Sequence, residues 1–321
     1  MDDVIPFLER VLAGRPVPRA RLEEVAGHYR LFGGVSPLNA QNRALIAALK
    51  EELAAHNLPL PIYLGNRNGH PLLPDTLRRM ANDGVQRALA FVTAAYSSYS
   101  SCRQYLEDIA RARAEVGPDA PQVDKLRVFY NHPGFIEPNI EHVRDALRQI
   151  PAERRDAAPI AFTAHSIPLR MAHHCAYEQQ LREVARLVAE GVGHDNWALV
   201  YQSRSGPPHQ PWLEPDIGDH LRALRERGVT DVVIAPIGFI SDHMEVVYDL
   251  DTEARQIAES LGLNMVRAAT PGTHPRFVRM IRELVEERLS PGAERLCIGQ
   301  FGPEPDFCPD GCCLQPLTND Q

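Results

Sequence analysis

An apolar run from Val232 to Ile240 is followed at once by a polar segment that carries the signals of a helix start. A continuous apolar run of this length is typical of a strand that is buried on both faces of a parallel sheet. Ser241 or Asp242 can cap the helix that follows, because either side chain can accept a hydrogen bond from the first turn. A strand that leads directly into a helix is the repeating unit of α/β folds, so this junction predicts a parallel sheet covered by helices.

Three carboxylates, Glu245, Asp249 and Glu253, recur every four residues in the predicted helix. That spacing places them on one helix face, one turn apart. A solvated acidic face is one interpretation, although like charges at this spacing cost roughly a few tenths of a kcal/mol per pair. The stripe also begins at the carboxyl end of a strand, where open α/β sheets bind ligands, and it has His243 in its first turn. A path for hydrated cations or protons is therefore the second interpretation.

A second strand end has the same arrangement. The mostly apolar segment from Ala158 to Thr163 ends just before His165. A histidine and a glutamate at the tips of two strands of one sheet can point into one cleft. Together they offer a base near neutral pH and a carboxylate that takes up protons or binds metal.

Three motifs in chain order make the pattern specific. They are Phe162-Thr-Ala-His-Ser-Ile-Pro168, Tyr201-Gln-Ser-Arg-Ser-Gly-Pro-Pro208 with Pro211-Trp-Leu-Glu-Pro215, and Gly238-Phe-Ile-Ser-Asp-His-Met-Glu-Val-Val-Tyr-Asp249. Together they resemble the signature of ferrochelatases, the enzymes of heme biosynthesis that insert ferrous iron into a porphyrin. The resemblance implies the class II chelatase architecture: two flavodoxin-like domains with parallel sheets and the porphyrin in the cleft between them.

Composition limits the remaining choices. The chain has 321 residues, of which 44% are apolar and 24% charged, as in ordinary globular proteins. A net charge of −8 argues against a broad nucleic-acid surface. We find no apolar run long enough to span a bilayer and no signal peptide, and no GxGxxG or P-loop that would indicate a nucleotide. We expect a cytoplasmic protein, monomeric and without a transmembrane segment.

Alternating apolar and amphipathic segments define the predicted elements. Helices are expected over 2–13, 19–31, 37–56, 73–83, 97–114, 137–150 and 275–289, and strands over 60–65, 87–95, 126–130, 160–163, 197–201, 231–239 and 264–268. The polar stretch 151–159 is bounded by prolines and predicts a domain boundary.

The predicted domains are an N-terminal flavodoxin-like domain over 1–155, a C-terminal one over 156–271 and a Cys-rich tail over 291–321. By resemblance, the helix within 272–290 completes the first domain. The family's first domain opens with an apolar strand and a Gly-rich turn, and Met1 stands where that turn should end. We therefore expect the true start of the protein to lie upstream.

The resemblance implies roles for the residues at the two strand ends. His165 and Glu245 are expected to face each other across the metal site as the catalytic pair and to bind Fe²⁺. Which of them binds metal and which accepts protons stays open, because ferrous iron accepts both imidazole and carboxylate. Asp249 and Glu253 match the family's acidic delivery path from that centre to the surface.

The porphyrin carboxylates need hydrogen-bond donors. By resemblance, Tyr29, Ser36 and Tyr105 occupy positions that contact the propionates, and Arg103 is near enough in sequence to assist. The polar stretch that precedes Tyr105 can equally be a simple helix start, so N-capping remains the alternative interpretation there.

Six cysteines are present, and three of them crowd into Cys308-Pro-Asp-Gly-Cys312-Cys313. Such density suggests thiolate ligation of a soft metal or cluster. Some ferrochelatases carry a [2Fe–2S] cluster, and the resemblance implies Cys175, Cys308, Cys312 and Cys313 as its ligands, with Cys297 as the alternative fourth. A zinc site and free thiols in a tail too poor in apolar residues to fold alone are the other interpretations.

The functional prediction is insertion of Fe²⁺ into coproporphyrin III to give Fe-coproporphyrin III. Insertion into protoporphyrin IX is the alternative within the same reaction, and a chelatase for another tetrapyrrole or for cobalt is a further one. A third class is a non-catalytic tetrapyrrole-binding or redox-sensing relative. The intact His165 and Glu245 argue against that last class.

Overall fold

The computed structural model describes residues 4–11, 18–207, 209–290, 292–309 and 311–314 and has an α/β fold. The helices are α1 (Val4–Val11), α2 (Arg19–Leu31), α3 (Leu38–Ala55), α4 (Leu73–Asn82), α5 (Gln104–Val116), α6 (Pro133–Arg148), α7 (Ala152–Arg155), α8 (Leu169–Ala172), α9 (Tyr177–Val192), α10 (Ile217–Glu226), α11 (Met244–Val247), α12 (Arg255–Ser260) and α13 (Pro275–Leu289). The strands are β1 (Arg87–Ala90), β2 (Gln122–Lys125), β3 (Ile160–His165), β4 (Trp197–Gln202), β5 (Asp231–Ala235) and β6 (Asn264–Arg267). Two π-helical turns cover Tyr99–Arg103 and Asp249–Ala254.

The second half of the chain forms a parallel sheet with strand order β4-β3-β5-β6. The central strands are buried on both faces, as the continuous apolar runs predict, since Phe162 on one face and Ala161 and Ile234 on the other have no exposed surface. Strand β5 ends at Ala235, four residues before the predicted end. Pro236 follows it and has no N–H with which to extend the ladder.

The first half shows a smaller parallel sheet, in which β1 pairs with β2 within the described residues. The strand predicted over 126–130 is wrong in position, because the pairing lies at Gln122–Lys125 instead. The strand predicted over 60–65 is also wrong, and its neighbourhood contains only the isolated bridge between Asn66 and Leu72. Apolar content predicts that a segment is buried, but a strand also needs a partner for its backbone groups.

The helix predicted to start at Ser241 or Asp242 is interrupted. Helix α11 begins at Met244, and a π-helical turn separates it from α12. The Asp242 carboxylate does not cap the helix but accepts hydrogen bonds from Arg267 Nη2 at 3.2 Å and from Thr270 Oγ1 at 3.0 Å. Its side chain is therefore used to hold the loop onto the end of β6.

Helix α13 packs against α3 and α6, both from the first half of the chain. Helix α6 packs in turn against α9 and β5 of the second half. The largest cluster of buried apolar side chains accordingly includes Phe135 and Phe162 from the two halves. The two sheets are thus joined through a continuous core. No helix among the described residues is long and apolar enough to cross a membrane.

The C-terminal segment, described over 292–309 and 311–314, lies along this body and is held by polar contacts. Arg127 Nη2 donates to the carbonyl of Leu296 at 2.9 Å, and its guanidinium pairs with Glu287 in a buried ion pair. The backbone N–H of Ile298 donates to the carbonyl of Asn131 at 2.9 Å. The composition of this segment gives no sign of such contacts, because the partners that order it lie in the body.

Candidate active site

The carboxyl ends of three neighbouring strands bring the candidate catalytic residues together. His165 is the last residue of β3, Gln202 is the last of β4, and Glu245 lies in α11 after β5. The distance between His165 Nε2 and Glu245 Oε1 is 3.5 Å. The other carboxylate oxygen of Glu245 lies 3.7 Å from His243 Nε2, so the carboxylate sits between two imidazoles.

Backbone and side-chain contacts fix both members of the pair. Tyr177 Oη donates to the carbonyl of His165 at 3.0 Å, and Gln202 Nε2 donates to the carbonyl of Glu245. The loop between β5 and α11 comes very close to β3 at Gly238, where an added Cβ would lie 2.6 Å from the Cα of Ala164. A side chain there would push the loop, and Glu245 with it, away from His165.

His165 and Glu245 form an ion pair. Burial works against charge on His165, but the Glu245 carboxylate, the Ser166 carbonyl and the Asp249 carboxylate together outweigh it and raise the pKa of His165 to about 9. Burial likewise opposes charge on Glu245, and the imidazolium of His165 nevertheless lowers the pKa of Glu245 to about 2. At neutral pH both ring nitrogens of His165 therefore carry a proton.

Asp249 lies near the His165–Glu245 pair, and its pKa is raised. Burial raises the pKa of Asp249 to about 7, with the carboxylates of Glu245 and Glu253 acting in the same direction and the hydrogen bond from Ser203 Oγ opposing them. Ser203 has a φ of 62°, a strained conformation for a residue with a side chain. Sequence reasoning did not single out Ser203 or Gln202, although both lie in the second motif.

Glu253 is exposed and Asp249 is half-buried. Glu245, like Asp249, is only partly buried, so exposure alone does not order the three carboxylates from the surface inward, and the delivery path stays a prediction. The π-helical turn Asp249–Ala254 carries two of them, so the path does not follow one face of a continuous α-helix. Glu253 is nevertheless close enough to Asp249 to help raise the pKa of Asp249.

Helix α2 approaches the same region. Burial raises the pKa of Tyr29, and the nearby Glu245 carboxylate adds to the effect, so the Tyr29 hydroxyl remains protonated and can donate. The neighbouring His28 ring stacks on the Tyr248 ring at a centroid distance of 3.8 Å. These contacts place Tyr29 beside the His165–Glu245 pair.

Ser36 lies where α3 begins, and its Oγ accepts a hydrogen bond from the Leu38 backbone N–H at 3.3 Å. One turn further on, Gln41 Oε1 accepts a hydrogen bond from the Asp242 N–H at 2.9 Å. The start of α3 therefore touches the loop that leads to Glu245. This contact brings Ser36 into the neighbourhood of the pair.

Arg103 ends the π-helical turn Tyr99–Arg103, and Tyr105 lies in the first turn of helix α5. Their contacts are with other residues of the first half of the chain. The guanidinium of Arg67 covers the Tyr105 ring at 4.3 Å, and Arg67 Nε contacts Asp108 Oδ2 at 2.5 Å. Arg103 Nε pairs with Glu107 Oε1 at 3.4 Å. Sequence reasoning missed Arg67, which lies between the predicted strand 60–65 and the predicted helix 73–83. A cavity of about 270 Å³ beside Arg67 is lined by residues of the first half of the chain, and neither His165 nor Glu245 is among them.

The cysteines converge between the tail and the body. The Sγ atoms of Cys102 and Cys308 are 3.9 Å apart, and those of Cys312 and Cys313 are 3.6 Å apart. Burial raises the pKa of Cys175, and Cys312 is near enough to add to the effect. Within the described ranges, no group of three or more His, Cys, Asp or Glu side chains is placed to hold a metal ion.

The ferrochelatase family model matches residues 1–289. A ferrochelatase of Rhodopirellula baltica is 54% identical, with 98% of this chain and 89% of that protein covered. A coproporphyrin III ferrochelatase of Streptomyces coelicolor is 52% identical, with coverages of 97% and 89%.

Among solved structures, SirB from Bacillus subtilis with Fe³⁺ superposes with a TM-score of 0.55 at 15% identity, covering 78% of this chain and 92% of that one. A likeness at this identity concerns the fold alone, and it confirms the predicted chelatase architecture with parallel sheets. The family-model match over residues 1–289 and the identities above one half are, by contrast, similarities of sequence. The chain therefore belongs to the ferrochelatase family of metal chelatases.

Proposed function

We propose that the protein inserts Fe²⁺ into coproporphyrin III to give Fe-coproporphyrin III. The observation that carries the proposal is the Glu245 carboxylate between the imidazoles of His165 and His243, at the carboxyl edge of a parallel sheet. Relatives about half identical to this chain bear the name coproporphyrin III ferrochelatase, which supports the choice of substrate.

Metal insertion releases two pyrrole protons for each ferrous ion, so the site must bind the ion and remove protons. When the carboxylate of Glu245 turns to Fe²⁺, His165 loses the partner that stabilises its charge. Burial then dominates, the pKa of His165 falls, and its proton leaves. The neutral imidazole is then free to bind the ion or to accept a pyrrole proton.

Asp249 is suited to connect the pair to the surface. Its pKa of about 7 means that it gains and loses a proton near neutral pH at little cost. A proton released at His165 can pass to Asp249 and then to the exposed Glu253, and hydrated Fe²⁺ can enter by the same carboxylates. We retain these two residues as the delivery path.

Substrate choice rests on donors for carboxylates. Coproporphyrin carries four carboxylates and protoporphyrin two, so additional donors favour the former. Tyr29, Ser36, Tyr105 and Arg103 remain the proposed contacts, and Arg67 joins them because its guanidinium lies over the Tyr105 ring. Each extra carboxylate paired in a partly desolvated cleft contributes roughly 1–3 kcal/mol. Protoporphyrin IX is the second candidate substrate.

We further propose that the thiols hold a [2Fe–2S] cluster. Two thiolates bound to one tetrahedral metal at about 2.3 Å lie about 3.8 Å apart. The Cys102–Cys308 and Cys312–Cys313 pairs have this spacing. The pairing favours Cys102 over Cys175 as the ligand from the body, and Cys297 is the third choice. Cysteine thiolates are the usual ligands of such a cluster. Among the described residues, however, no three of these side chains are placed together as a ligand group.

The direct test mixes the protein anaerobically with Fe²⁺ and each porphyrin and follows the absorption spectrum. We expect metal insertion with coproporphyrin III at a kcat/KM at least tenfold above that with protoporphyrin IX. Equal kcat/KM values would reject the substrate choice, and no insertion with either would reject the function. The cytoplasmic location and the monomeric state stay predictions of the sequence.

A further inference from the structure

Helix α9 carries a stripe of three side chains that each contact a different part of the molecule. Tyr177 Oη donates to the carbonyl of His165. Three residues later Gln180 contacts Ser97, and after three more Glu183 accepts a hydrogen bond from the backbone N–H of Gln300 in the C-terminal segment. Residues at this spacing share a helix face. The three side chains therefore link strand β3, which ends at His165, to the turn before Tyr105 and to the C-terminal segment.

Gln180 is the centre of this stripe and is 2% exposed. Its Oε1 accepts from the Ser97 backbone N–H at 2.7 Å. Its Nε2 donates to Ser97 Oγ at 3.0 Å and to Glu304 Oε1 at 2.9 Å. Both N–H groups of the amide are thus used. The reversed amide would place an oxygen against the Glu304 carboxylate, so this contact fixes the orientation in which Gln180 can hold Ser97.

Ser97 opens the turn that leads to the proposed carboxylate donors. The next residue, Ser98, accepts a hydrogen bond at its Oγ from the Ser101 N–H at 3.1 Å and caps the π-helical turn. Tyr105 follows in the first turn of α5. The C-terminal segment touches this turn a second time where Cys308 meets Cys102.

We propose that Gln180 is a positioning residue through which the C-terminal segment sets the turn 97–102, and with it Tyr105, to receive the porphyrin carboxylates. The proposal rests on the proposed function, since it takes Tyr105 as a substrate contact. The hydrogen bonds of Gln180 and Glu304 join the turn and the tail. Their loss weakens porphyrin binding and leaves the rate at saturation unchanged.

Glu304→Ala tests this without removing a buried residue. We expect the KM for the porphyrin to rise about fivefold, the factor given by a typical net hydrogen bond, with kcat within about twofold of wild type. Glu304→Gln should restore the wild-type KM, because its amide oxygen can still accept from Gln180. Glu294→Ala, an exposed carboxylate of the same segment, is the matched control and should leave KM unchanged.

Hydrogen exchange gives a readout that needs no turnover. Amides of 97–103 should exchange at least about fivefold faster in Glu304→Ala than in wild type or in Glu304→Gln. Unchanged exchange there, an unchanged KM, or a fall in kcat alone would overturn the proposal. If the wild-type protein inserts no metal, the proposed function fails, while faster exchange in Glu304→Ala alone would still support the positioning contact.

Discussion

The two halves of the molecule reach their functional geometry in different ways. In the second half, a complete four-stranded sheet delivers His165, Gln202 and Glu245 to one edge through its backbone. In the first half, β1 and β2 form a short ladder, and Tyr105 is positioned by side chains such as Arg67. On the proposed function, the metal chemistry would depend on strand ends, whereas the substrate contacts would depend on turns and ion pairs. Changes at the strand ends of the second half should then act on turnover, and changes around Tyr105 in the first half should act on binding.

The largest expected effect comes from His165→Ala, which removes a base and a ligand together. General acid–base catalysis contributes about 10²–10⁴-fold, and we expect kcat to fall by at least that range. Porphyrin binding, followed by fluorescence quenching, should remain within about threefold of wild type. Glu259→Ala, an exposed carboxylate on α12, serves as control. Near wild-type insertion in His165→Ala would remove the distinction between the halves.

The next effect concerns the cluster, which would join the tail to the first half. The purified protein should be reddish-brown, with about two irons and two sulfides per chain. Cys102→Ser should bleach it, as should replacement of Cys308, Cys312 or Cys313, because these sulfurs have the spacing of paired ligands. Cys175→Ser should keep the colour. Bleaching by Cys175→Ser alone would return the fourth ligand to the second half, as the sequence predicted.

Asp249→Asn tests whether burial of the Asp249 carboxylate in the second half lowers the stability of the folded protein. A carboxyl whose folded pKa is raised binds more protons in the folded state, so its effect on stability is absent below about pH 4. The free energy of unfolding then falls as the pH rises towards about 7. We expect Asp249→Asn to be more stable than wild type by on the order of 2–3 kcal/mol at pH 8 and equal to it at pH 3.5. Denaturant titration at both pH values measures this, and a pH-independent difference would contradict it.

The smallest effect is expected on the substrate side. Arg67→Ala removes the guanidinium above Tyr105 and should raise the KM for coproporphyrin III about five- to tenfold with kcat unchanged. Arg79→Ala is a matched control, since its guanidinium covers the Tyr63 ring instead. If Arg67→Ala lowers kcat and spares KM, the substrate contacts do not divide between the halves as described.

The same contrast explains what the sequence could predict. The apolar runs before His165 and before Glu245 identify central strands, and the resemblance of the motifs to a known family then implies the proposed catalytic pair. The π-helical turn at Asp249–Ala254, the hydrogen bond from Ser203 and the cover of Tyr105 by Arg67 leave no periodic signal. Segment 60–65 is apolar enough for a strand, yet pairing depends on a partner that local sequence does not specify. The approach of Cys102 to Cys308 is equally non-local.

The central claim is that His165 and Glu245 act as one coupled pair, and the pH profile of kcat/KM in Glu245→Gln tests it most directly. This ratio reports the ionisation of the free enzyme. In wild type, metal insertion should rise with pH as His165 loses its proton, with a limb near pH 9. In Glu245→Gln, burial still lowers the pKa of His165, and only the Ser166 carbonyl and the Asp249 carboxylate still raise it. We therefore expect the limb to move to a clearly lower pH and the rate to fall about 10²–10⁴-fold. A limb that stays near pH 9 in Glu245→Gln would show that the two residues are not coupled.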